Sequence, residues 1–146
     1  MGTSCTIFAI QLDRPGVLSA LGRHQGIQIE VRGGEHEWSS IRLVHASGEI
    51  EFNALFRLAP RDEASRILLG MHNWVRNAKS STPELRARVG DRILDSRALI
   101  GIVASSELSP NVPGFIYVTT VAEVLNGVIF TGGAILDAKG ERLLPS

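Results

Sequence analysis

The chain has a single cysteine in 146 residues, no net charge, few aromatic side chains and no long apolar run. Each of these absences removes a class of explanation. With Cys5 alone there is no intramolecular disulfide framework, so the fold must be held by its core, and a reducing, cytoplasmic setting is expected. Fifteen basic against fifteen acidic side chains remove the sequence-wide electrostatic case for nucleic acid or an anionic membrane as a partner, and neither is expected. No apolar stretch reaches the length of a membrane-spanning helix, and no charged-then-apolar leader is visible. Met1 to Thr6 fits the loose acceptor pattern for acylation at Gly2, but no polybasic stretch follows it. Cys5 reads instead as a small apolar residue opening a buried strand.

Reactive chemistry is also thin. His24, His36, His45 and His72 are scattered, with no pair at the short spacing that ligands on one element require. His36 lies between Glu35 and Glu37 in a predicted turn after Gly33 and Gly34, which reads as a solvated loop. No metal and no cofactor are expected. Ser105, Ser106 and Ser109 follow an apolar run without a nucleophile elbow around them, and are expected to form a polar loop capping a helix that begins near Pro113. Gly132 and Gly133 lead toward a hairpin and not into a helix, so they read as a bulge or kink and not as a phosphate loop. No catalytic residue is assigned.

What is present is a core. Hydrophobic residues make up 44% of the chain, enough for one globular domain over residues 1–146. The clearest unit spans residues 98–130: an apolar run, a polar loop, an amphipathic stretch stopped by Asn126 and Gly127, and a second apolar run. It predicts two buried parallel strands joined by a crossover helix. Residues 5–12 read as a first strand. Asp13 and Pro15 open a short helix with Val17, Leu18 and Leu21 on one face, and Ile27, Ile29 and Val31 alternate with polar residues in a half-buried strand.

Residues 38–58 read as a hairpin with one wet face, turning at Ser47 and Gly48, with Ile50, Phe52, Ala54, Phe56 and Leu58 at every second position. Pro60 and Asp62 open the best helix, and Ser81 to Glu84 open another with a narrow apolar stripe over Leu85, Val89, Arg92, Ile93 and Ser96. Two short strands around a turn at residues 137–140 close the chain. The inventory predicts an α+β, two-layer domain, a mixed sheet covered by helices, with a ferredoxin-like variant as the expected topology.

Residues 6–31, including the run from Ile7 through Asp13, Arg14, Pro15 and Gly16 to Leu18, then Leu21 and residues 26–29, resemble the opening of ACT domains, small ferredoxin-like modules that bind amino acids and regulate enzymes. The resemblance implies a ligand site at Asp13, Arg14, Pro15 and Gly16, usually at a dimer interface. A second polar cluster lies on the helix after Asp62. There Arg66, His72, Asn73 and Arg76 accompany Trp74, either as a ligand-facing surface or as the wet flank of a core tryptophan.

Without an assembled general base, nucleophile or metal, the leading expectation is a non-catalytic binding or protein-interaction domain. Its partner is another protein, a second copy of the chain included, met through an exposed sheet or strand edge. A small-molecule, amino-acid-sensing regulatory domain acting through residues 13–16 is the alternative, and an enzyme using His72 and Arg76 is the third reading.

Overall fold

The structure, a computed structural model, describes residues 3–33, 40–56, 61–78 and 81–144. β1 (Thr3–Ala9) leads into α1 (Arg14–Leu21), whose start is fixed by Asp13: its Oδ1 accepts the Gly16 amide at 2.9 Å, and Pro15 supplies a preset first turn. β2 (Gln28–Arg32), β3 (Ser40–His45) and β4 (Gly48–Phe56) follow. α2 (Glu63–Arg76) begins where Asp62 accepts the Ser65 amide, and α3 (Pro83–Leu94) where Thr82 accepts the Leu85 amide. β5 (Ala98–Ala104), α4 (Phe115–Val124), β6 (Val128–Thr131), β7 (Ala134–Leu136) and β8 (Arg142–Leu144) complete the chain.

Two local expectations change. Gly132 and Gly133, at φ of 57° and 75°, form the two-residue turn between the paired Thr131 and Ala134, a hairpin and not a bulge. The serines do not cap α4. It starts at Gly114 with no side-chain cap, its first amides instead closing tight turns onto the carbonyls of Val112, Pro113 and Gly114. Ser105 is drawn off to accept the Glu49 amide at 2.8 Å. Trp38, Leu58, Pro60 and the Glu35, His36 and Glu37 group lie outside the described residues.

The strands form one eight-stranded sheet in the order β2-β3-β4-β5-β1-β6-β7-β8, and every neighbouring pair is antiparallel. The expected mixed sheet is therefore corrected. β5 and β6 do run in the same direction, but β1 lies between them, with Ile7 opposite both Ile100 and Ile129. The crossover through α4 passes over β1 and leaves no parallel contact.

The expected single helical layer is corrected too, because helices pack on both faces. On one face α1 and α4 bury Val17, Leu21, Val118 and Val121 against Ile7, Phe52 and Ile100. On the other, α2 and α3 bury Leu68, Val75, Val89 and Ile93 against Phe8, Leu99 and Val128. The cause is local: Ile7 and Phe8, Leu99 and Ile100, and Val128 and Ile129 are apolar neighbours that point to opposite faces, and a strand apolar on both sides needs cover on both. β2, β3 and the first half of β4 alternate instead, so their second face stays wet until Leu55, which packs against the second core. No helix among the described residues is long and apolar enough to cross a membrane.

Candidate interaction surface

β2 is the accessible end of the sheet. It pairs inward with β3, Glu30 against Arg42 and Val31 against Ile41, and no described strand pairs with its outer side. Four of its five residues are exposed, Val31 at 39%. The other end differs: β8 is three residues long, Leu144 is fully buried, and α3 packs beside it. A short, covered edge resists pairing, whereas a longer open one offers unpaired amides and carbonyls.

The wet face next to β2 carries a charge relay. Arg42 lies between Glu30 of β2, at 3.4 Å, and Glu49 of β4, with which it forms a close hydrogen-bonded pair. That pairing with Glu49, reinforced by Glu30, holds the guanidinium above its ordinary value. Beside it a shallow concavity of about 330 Å³ is lined by Arg42, Glu49, Glu51, Val103, Ala104 and Ser105, and Val103 is 54% exposed.

The edge of β2 is self-complementary. If a second β2 lies antiparallel with Val31 on the two-fold axis, residues whose numbers sum to 62 face each other, which sets each Glu30 against the other copy's Arg32 on one face and Val31 against Val31 on the other. Registers centred on Ile29 or Glu30 lack this match, and centring on Glu30 sets like charges together.

The residues singled out by sequence lie elsewhere. Asp13, Arg14, Pro15 and Gly16 form the start of α1 at the opposite end of β1 from Thr3. There the Gly16 amide, which a ligand carboxylate would use, is occupied by the Asp13 side chain. On α2, Arg66, Asn73 and Arg76 are exposed, but His72 turns toward α3, its Nδ1 donating to the Gly90 carbonyl at 3.2 Å. The fold thus separates His72 from the other three. Trp74 is 41% exposed and meets Phe130 edge-on at 5.6 Å, closing the margin of the second core.

A cleft of about 250 Å³ that sequence reasoning missed lies between the β3–β4 turn and the start of α4, where His45, Ser47, Ser106 and Glu107 line an otherwise apolar wall. The Ser47 amide donates to His45 Nδ1 at 3.3 Å, which leaves that nitrogen the acceptor, and the ring packs 5.3 Å from Tyr117. Residues so distant in the chain leave no local pattern to read.

Among the described residues no group of three His, Cys, Asp or Glu side chains is placed to hold a metal ion. Cys5 is buried, and burial pushes its thiol up to about 12, away from nucleophilic use. Comparison of the chain with protein-family models, curated proteins and solved structures finds no match.

Proposed function

We propose that this chain is a non-catalytic protein-interaction domain of the cytoplasm whose first partner is a second copy of itself, joined by antiparallel pairing of the two β2 edges. The observation that carries the reading is the open β2 edge, on which Glu30 and Arg32 are complementary to the same residues of another copy about Val31. Joining there converts two unsatisfied edges into ladder hydrogen bonds and extends both wet faces into one surface on which further partners can dock. A cytoplasmic setting suits a lone, buried thiol.

The framework reading remains a ferredoxin-like core. What supports it is the order β6-β1-β5-β4 with α1 and α4 on one face, the pattern of two interlocked strand-helix-strand units. β2 and β3 then extend one end, β7 and β8 the other, and the α2–α3 pair is added on the second face.

Edge pairing over five residues is a small interface, so association is expected to be concentration-dependent in the micromolar range, on the order of 1–100 μM. Light scattering after gel filtration, over that range, tests the reading. Val31→Lys sets two ammonium groups on the axis at a position the monomer leaves exposed. It is expected to weaken association at least about tenfold with unchanged thermal stability of the monomer. A wild-type chain that stays monomeric, or a variant that associates equally well, overturns the proposal.

A further inference from the structure

α3 and the closing hairpin enclose a second pocket, of about 180 Å³, lined by Leu85, Arg88, Val89 and Arg92 of α3, by Gly127 and Val128 at the start of β6, and by Asp137, Ala138 and Leu143. Its floor is apolar, Val89 and Val128 being almost fully buried. Its charge comes from two arginines one helical turn apart on the same face of α3.

Neither arginine has a carboxylate within ion-pair distance among the described residues. Arg92 is nevertheless fixed in place, its Nη2 donating to both the backbone oxygen and Oδ1 of Asn126 at 2.9 Å. Asn126 itself is held at a φ of 51° beyond the end of α4. The Nε of Arg92 is shielded from water without a hydrogen-bond partner, so the guanidinium is partly stripped of solvent and left without a counter-charge. Asp137 lines the same pocket but makes no ion pair with either arginine. Its Oδ1 accepts the Lys139 and Glu141 amides, both at 2.9 Å, and is committed to the β7–β8 turn.

We propose that this pocket binds a small organic monocarboxylate, its carboxylate on the guanidinium groups of Arg88 and Arg92 and its apolar body against Val89, Val128 and Leu143. Two guanidinium charges against the single carboxylate of Asp137 leave a surplus of one, which matches a monoanion and not a phosphate dianion. The volume sets the size. An apolar cavity of about 150 Å³ holds a benzene ring, so a benzoate or a short branched-chain acid fits, with its charged end toward the arginines.

Benzoate titrated into the ¹⁵N-labelled full chain, followed by amide shifts, tests the site. Saturable shifts at Gly127, Val128 and Ala138 are expected by about 10 mM, reduced at least about tenfold in affinity by Arg88→Met, a change at an exposed side chain that leaves the fold intact. Arg92→Lys keeps one charge but loses the two-pronged anchor on Asn126, and is expected to weaken binding as well. Absence of saturable shifts, equal binding by Arg88→Met, or equal occupancy by inorganic phosphate overturns the proposal, the last marking an adventitious ion only.

Discussion

Val31 and Ile41 face each other across β2 and β3, yet Ile41 is fully buried and Val31 is 39% exposed. One strand of outward displacement takes a side chain from the core to the rim. Ile41→Ala is expected to lower folding stability by about 2–5 kcal/mol, the cost of lost burial plus a cavity. Val31→Thr is expected to change it by no more than about 0.5 kcal/mol. Urea midpoints of the two variants check this difference, and equal losses would mean that β2 is covered in the monomer.

Asp13 and Gly16 are coupled through one capping bond, and a Cβ added at Gly16 would run into the Asp13 carboxylate. Asp13→Ala is expected to cost about 1 kcal/mol through the lost cap. Gly16→Ala is expected to cost a similar amount by displacing the same carboxylate. In the Asp13→Ala background the sign reverses: with the obstruction gone, Gly16→Ala becomes neutral or stabilising by up to about 1 kcal/mol, because alanine favours the helix. A double-mutant cycle by thermal unfolding reads this directly, and simple additivity would contradict a capping role.

Cys5 titrates far above its ordinary value of 9.0, at about 12, because burial disfavours the thiolate. A folded-state pKa above the unfolded one gives a contribution that is full below about 9 and is lost as pH rises toward 12. The native thiol is therefore expected to resist alkylation at pH 8 and to react at once in denaturant. Cys5→Ala is expected to lose less stability than the wild type between those two pH values. Rapid labelling of the folded chain would contradict the burial of β1.

Much of the secondary structure is legible in the sequence because the decisive groups are local. Asp13, Asp62 and Thr82 each cap the helix that follows within three residues, and Ile50, Phe52, Ala54 and Phe56 alternate along β4 as their spacing implies. The layers are less legible. Phe8, Leu99 and Val128 sit in apolar runs whose second face looks redundant until α2 and α3 are placed over it. The order of strands is set by contacts such as Ile7 with Ile100, far apart in the chain, so β2 can be read as a strand but not as an edge. The Arg42 and Glu49 pair follows from the register set by the two-residue turn Ala46 and Ser47, one residue earlier than the expected Ser47 and Gly48, whereas the link of Ser106 to Ser47 across the cleft has no local signature.

Charge exchange across the β2 edge reports on the proposed pairing without touching the core. Glu30→Arg and Arg32→Glu each set like charges across the proposed two-fold axis, while an equimolar mixture of the two variants restores opposite charges at every cross-strand pair. Loss of the exposed pair between Glu30 and Arg42 should leave the fold intact. Native mass spectrometry of the wild type, each variant and the mixture is expected to give a dimer, two monomers and a heterodimer. A monomeric wild type, or variants that dimerise alone as well as they do together, would contradict pairing of the β2 edges in this register.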